Sequence, residues 1–162
     1  MLPSFQHVLF HQLTFTENWN LHPWDNDHYS KELKDSILQT GIIHPPYLLR
    51  QPDKSFEVIS GRKRLIIADR YFKSRKAGCF ILPENFTAES TLDLVLTDQS
   101  CLPLSLAEKA RFIEIAARYM TKEEIVEKFA DRLEIRESTS ATDEMLELLS
   151  LDLTIIEEIH RG

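Results

Sequence analysis

Residues 58–68 read VISGRKRLIIA: an apolar run, a glycine, three consecutive cations, then a second apolar run. A strand that turns through Gly61 directly into a helix leaves that helix's first backbone N–H groups without intrahelical partners and the positive end of its dipole exposed. Such a terminus is a ready anion site. Arg62, Lys63 and Arg64 are disfavoured by that dipole, and an incoming phosphate would remove the penalty. Arg64 suits the task, because a guanidinium fork matches phosphate better than a point charge does. The alternative is a solvated first turn whose cations pair with Asp69 or Glu57. Spacing alone leaves these two readings even.

Other constellations are weaker. The histidines at 7, 11, 22, 28, 44 and 160 include no close pair with an acidic third ligand at helical spacing. His7 and His11 fall in a strand-like segment without a third partner, so no metal site is expected there. Trp19 and Trp24 flank the loop NLHP and read as core or lid packing. Glu17, Asp25 and Asp27 are acids in the same region with a chemistry open to phosphoryl transfer. Cys79 and Cys101 form no metal-ligand or redox pair, which suits two thiols in a reducing compartment.

The elements that must position the basic turn follow from pattern. HVLFHQLTF (7–15) reads as a strand. Apolar residues at Tyr29, Leu33, Ile37 and Leu38 predict a helix, with Asp27 as its N-cap and Gly41 at its end. PPYLLRQ (45–51) and FEVIS (56–60) read as strands joined by the turn QPDKS. RKRLIIADRYFKS begins a helix at once after Gly61, and CFILP (79–83) is a further strand. The order strand, helix, strand, strand, helix, strand predicts an α+β fold: a small mixed β-sheet packed with helices over residues 1–85. From 86 to 162 the pattern is helical, with a polar interruption near 134–143. Leu92, Leu94, Val95 and Leu96 read as core or interface.

At 162 residues, 43% hydrophobic and 28% charged, the chain has the composition of an ordinary globular protein. No apolar stretch approaches bilayer length, and MLPSFQHVLFHQL lacks the cationic start and cleavage site of a signal peptide. A cytoplasmic protein without a membrane partner is expected. A net charge of −7 opposes nonspecific attraction of the whole chain to DNA, while leaving room for a local basic patch.

The stretch LKDSILQTGIIHPPYLLRQPDKSFEVISGRKRLIIA (33–68) resembles the N-terminal domain of the ParB family, DNA-partition proteins that share a fold with sulfiredoxin. The family's boxes are matched by Ser36-Ile37, by Gly41-Ile42-Ile43-His44-Pro45, and by Gly61-Arg62-Lys63-Arg64 followed by Ala68. Gly61 and Arg64 keep the G-x-x-R core, and Arg62 replaces the usual acidic residue. The resemblance implies a cytidine nucleotide, CTP or another nucleotide with Mg²⁺. Its phosphates would lie on Gly61, Arg62, Lys63 and Arg64, with Gly41, Ile42 and His44 lining the neighbouring wall. His44 also reads, from its position before two prolines, as a hydrogen-bonded turn residue. The sulfiredoxin branch requires a cysteine directly after the glycine, where this chain has Arg62, so sulfinic-acid reduction is not expected.

LSLAEKARFIEIAARYMTKEEIVEKFADRL (104–133) resembles the family's linker helix and the first helix of its helix-turn-helix, with Thr121 and Glu124 as a capping box. The family's upstream "ENxQR" box supplies an asparagine for the metal and an arginine for the triphosphate. Here those positions read Asp98 and Cys101. Asp98 is able to hold a hard cation through oxygen, but Cys101 holds no phosphate, so at most weak nucleoside triphosphatase activity is implied. In residues 134–162 the recognition helix would begin at Ser138, Thr139 and Ser140, with Met145, Leu146, Leu148 and Leu149 as its apolar face. Arg132 and Arg136 are the cations placed to meet a DNA backbone. Asp143, Glu144 and Glu147 oppose that contact, so DNA binding is expected to be weakened. The family's helix-turn-helix lobe ends near IHRG, before a linker and dimerisation domain, which implies a fragment of something longer.

Three functions compete at this point. The first is a ParB-like DNA-partition or transcription-regulatory protein with a nucleotide site. The second is a phosphotransferase or nucleotide hydrolase on the same fold, with a base from the 17–27 loop. The third is a non-enzymatic adaptor whose acidic helices meet a protein partner; a homodimer is also open.

Overall fold

The computed structural model describes residues 2–24, 28–98 and 103–161. The chain divides into two compact units, Met1–Thr87 and Ala88–Gly162. The fold is α+β, as the pattern predicts. The first unit holds a five-stranded mixed sheet in the order β1-β5-β3-β4-β2. Its strands are β1 (Ser4–Leu9), β2 (Leu13–Thr14), β3 (Tyr47–Arg50), β4 (Phe56–Ser60) and β5 (Lys76–Leu82). Two helices, α1 (Lys31–Thr40) and α2 (Arg62–Tyr71), complete it.

The expected strand over 7–15 is broken. The Phe10 N–H donates to the Arg75 carbonyl at 3.1 Å, and Phe10–Gln12 form a 3₁₀ turn. β1 therefore pairs antiparallel with β5, whereas β2 pairs parallel with β4 at the far edge of the sheet. His7 and His11 consequently do not share one strand. β3 is shorter than expected because Pro45 and Pro46 have no N–H for a ladder. The Pro46 carbonyl still accepts from the Phe80 N–H at 2.8 Å. β4 coincides with FEVIS, and all five of its residues are buried.

α1 starts later than its periodicity suggests. Its cap is Ser30, whose Oγ accepts from the Leu33 N–H at 3.1 Å; the Asp27 expected there lies outside the described residues. Ile37 is buried, but Leu38 is 49% exposed and so leaves the predicted apolar face. Gly41 closes the helix with φ +76°, its N–H donating to the Ile37 carbonyl at 2.9 Å. One face of the sheet packs Val8, Leu48, Phe56, Val58, Cys79 and Ile81 against Leu65 and Ala68 of α2. Removing each such large side chain from water contributes about 1.5–3 kcal/mol.

The second unit contains α3 (Ala88–Asp98), α4 (Leu106–Ala116), α5 (Lys122–Leu133), α6 (Thr139–Leu148) and α7 (Leu153–Arg161). Phe112, Ile113, Ile125, Phe129 and Leu133 are buried there, with the rings of Phe112 and Phe129 edge to face at 5.1 Å. The capping box at α5 is present: Thr121 Oγ accepts from the Glu124 N–H, and Glu124 Oε2 accepts from the Thr121 N–H at 2.7 Å. A second box, between Ser105 and Glu108, starts α4. In α6 the fully buried positions are Ala141 and Thr142; Met145, Leu146, Leu148 and Leu149 are half-buried. No helix among the described residues is long and apolar enough to cross a membrane.

Candidate functional site

The basic turn has the geometry its sequence requires. Gly61 is the N-cap of α2 with φ +83° and ψ +22°, a left-handed conformation that glycine adopts without penalty. A Cβ at this position would lie 2.8 Å from Pro46 Cβ and 2.9 Å from Pro46 Cγ. Only glycine lets the end of β4 approach the segment that leads into β3. The cap brings no side-chain acceptor, and the first turn of α2 carries no acid. The dipole's positive end and three cationic side chains therefore share one turn.

Two of those cations are anchored by distant parts of the chain. Arg64 Nη1 donates to the His44 carbonyl, so the G-x-x-R and GII-x-P segments are joined twice, by this bond and by the Gly61–Pro46 approach. Arg62 turns towards the segment after β2. Its Nη1 donates to the Thr16 carbonyl at 3.1 Å, its Nη2 lies 3.4 Å from Glu17 Oε1, and its guanidinium stands 5.4 Å from the centre of the Phe15 ring. Lys63 is half-buried on the same turn.

Behind Arg62 lies a buried carboxylate. Glu57, on β4, accepts from Thr16 Oγ1 at 2.6 Å, from Asn18 Nδ2 at 2.8 Å and from Gln51 Nε2 at 3.0 Å. A buried charge is tolerable when several donors satisfy it, and here those donors fasten residues 16–18 to the sheet. Trp19 and Leu21 continue that segment into the core, in keeping with the packing reading of Trp19. The expected partners of the cations are rearranged: Asp69 pairs with Arg75 at 3.1 Å, and Glu57 takes neutral donors. Asp25 and Asp27, the other acids of that loop, lie outside the described residues.

The remaining wall residues fall beside the turn. Gly41 leaves nothing within 4 Å of a built Cβ, Ile42 packs against the core, and His44 contributes its carbonyl to Arg64. Asp98 is the last residue of α3, in the second unit. Gln99, Ser100 and Cys101 lie outside the described residues. Among the described residues no three His, Cys, Asp or Glu gather as a metal site.

The candidate DNA-contacting residues occupy the α5–α6 region, with their cations already engaged. Arg132 pairs with Asp93 and donates to Thr97 Oγ1 at 3.1 Å. Arg136 grips both carboxylate oxygens of Glu144, at 2.7 and 2.6 Å. Ser138 caps α6 through the Ala141 N–H, the Thr139 carbonyl accepts from Thr142 Oγ1, and Ser140 Oγ lies 3.4 Å from Glu144. The outward residues of α6 are Thr139, Ser140, Asp143, Glu144 and Glu147, and Lys122 pairs with Asp143.

Thr16, Asn18, Pro46 and the acceptor role of Glu57 are the parts that sequence reasoning missed. The one available signal was an acid inside a strand whose other four residues are apolar or small.

No protein-family model matches the chain, and no curated protein matches it in sequence. Among solved structures, it is similar to the C-terminally truncated chromosome-partitioning protein ParB from Caulobacter crescentus complexed with CTP-γ-S. That likeness has a TM-score of 0.47 at 16% identity, over 98% of this chain and 86% of that one. The same truncated protein complexed to the centromeric parS site gives a TM-score of 0.48 at 15% identity, over 91% and 73% of the two chains.

Proposed function

We propose that this chain is a ParB-like partition or regulatory protein whose first unit binds a nucleotide, CTP by family resemblance, at the Gly61–Arg64 turn. The observation that carries this reading is the double fastening of the two motif segments, Gly61 against Pro46 and Arg64 to the His44 carbonyl. It holds the helix terminus and the GII-x-P segment side by side. In that arrangement phosphate oxygens would accept from backbone N–H groups at the start of α2 and from Lys63 and Arg64, while Arg62 would exchange Glu17 for a phosphate oxygen. Gly41, Ile42 and His44 would supply the wall beside the sugar and base. Mg²⁺ would enter with the phosphates and neutralise part of their charge.

Binding without efficient turnover is the expected behaviour, because Asp98 and Cys101 replace the family's asparagine and arginine. DNA binding is weakened on the same reading: Arg132 and Arg136 are spent on Asp93 and Glu144, and α6 turns acids outward, which opposes counterion release. Those acids suit a basic protein partner instead.

Calorimetric titration of CTP, ATP and GTP with Mg²⁺ into wild type and Arg64→Ala tests the proposal. CTP binding that is lost in the variant supports it. No heat from any nucleotide sinks it and makes the turn inherited scaffolding.

A further inference from the structure

β5 carries Gly78 near its middle, opposite His7 in the antiparallel ladder with β1. That ladder runs from Ser4↔Ile81 to Leu9↔Lys76 without a register shift. Glycine inside a strand marks a bulge, a bend, or a place where something approaches the backbone closely. The unbroken register removes the bulge. A Cβ built on Gly78 would lie 2.5 Å from Phe5 Cζ, so the Phe5 ring leans over bare backbone. Because side chains alternate along strands, Phe5, His7, Lys76, Gly78 and Phe80 share one face. Phe5 meets His7 edge-on at 5.6 Å and Phe80 edge-on at 5.8 Å, yet it remains 55% exposed.

The result is a groove of about 420 Å³ with Gly78 in its floor, Phe5 and Phe72 in its walls, and His7, Ser74 and Lys76 as its polar groups. That volume lies within the roughly 300–1,000 Å³ of small-molecule sites, which pair apolar walls with a few polar groups. No carboxylate lines it among the described residues, and Lys76 makes no ion pair among them. None of the lining belongs to the Gly61–Arg64 turn; Ile42 and Pro45 are shared with the GII-x-P segment.

We propose that this groove is a second binding site, independent of the nucleotide reading, for a small planar anion: an aromatic or heteroaromatic ring bearing a phosphate or carboxylate. The ring packs on the exposed Phe5 ring, which itself covers Gly78. The anion meets the Lys76 ammonium, with a ring N–H of His7 as a further donor.

Phenyl phosphate titrated into the full chain, followed by amide NMR, tests this. Inorganic phosphate serves as the ringless control and benzyl alcohol as the uncharged one. Phenyl phosphate is expected to shift the Lys76 and Gly78 amides saturably and to bind more tightly than either control. Lys76→Gln, at an exposed position, should weaken it about tenfold or more, as loss of a charge-assisted bond requires. Arg64→Ala should leave it unchanged. Loss of binding in Arg64→Ala with Lys76→Gln unaffected would place the anion on the helix turn and overturn the proposal. So would an equal response to inorganic phosphate, the absence of a saturable shift, or tighter Lys76-dependent binding of a single-stranded oligonucleotide.

Discussion

Replacing Gly61 by alanine tests the fastening on which the proposed site depends. The left-handed backbone at this position, φ +83°, costs an L-residue about 1–2 kcal/mol. The new Cβ would meet Pro46 at 2.8, 2.9 and 3.1 Å, contacts with ring and backbone carbons that have no flexible end to yield. Overpacking of this kind costs about 1–3 kcal/mol. The expected loss is the sum, about 2–5 kcal/mol, against a domain stability of about 5–15 kcal/mol. Trp19 and Trp24 are the only tryptophans and both belong to the first unit, so fluorescence in urea follows that unit alone. Pro46→Gly removes two of the three clashing atoms, and the double-mutant cycle with Gly61→Ala should return the steric share as a coupling of about 1–3 kcal/mol. Gly41→Ala is the control. Its backbone, φ +76° and ψ −170°, is also hostile to side chains, but no atom lies within 4 Å of the added Cβ, so its cycle with Pro46→Gly should be additive. A Gly61–Pro46 cycle that closes within about 0.5 kcal/mol, the ordinary additivity error, would refute the reasoning.

Glu57→Gln keeps the shape of the buried acceptor but turns an NH₂ towards donors, and should cost the first unit about 1.5–3 kcal/mol by the same fluorescence assay. Thr121→Ala removes the side-chain half of the α5 capping box and should cost about 1 kcal/mol by circular dichroism. The Glu124 carboxyl is held below its ordinary value of 4.5, first by the backbone N–H of Thr121 and then by its hydroxyl. Its contribution is therefore present above 4.5 and lost as pH falls through the lowered value, and Glu124→Gln should flatten that acid limb. Burial pushes the Cys79 thiol up to about 12, so peptide-level alkylation at pH 8 should leave Cys79 unmodified until the first unit unfolds; prompt native labelling would contradict the burial.

What the sequence disclosed was local. FEVIS, the glycine stop and the helix that begins at Arg62 are all signalled within a few residues, by alternation, by a residue able to adopt positive φ, and by an apolar 3.6-residue period. The Thr121–Glu124 box is legible for the same reason, since both of its bonds span three positions. The strand predicted over 7–15 is broken because the bond that bends it comes from Arg75, 65 positions from Phe10. The predicted cap at Asp27 gave way to Ser30, another good capping residue three positions on, a choice that periodicity does not make.

The wall of the candidate site was illegible because its bonds are long in sequence. Thr16 and Asn18 reach Glu57 across 41 and 39 positions, and Arg62 reaches the Thr16 carbonyl across 46. Apolar periodicity predicts which side chains are buried, but it does not say which polar group will meet a buried charge. Nearness in sequence pairs the cations with Asp69 and Glu57, whereas the fold assigns Arg62 to Glu17 and Asp69 to Arg75. The two ends of this network are mechanically linked. Glu57 fastens residues 16–18 to the sheet, and residues 16 and 17 hold Arg62 on the basic turn. A change at Glu57 should therefore alter the turn's affinity for phosphate although its carboxylate touches none of the three cations, and Glu57→Gln and Arg62→Ala should be non-additive in both stability and nucleotide binding.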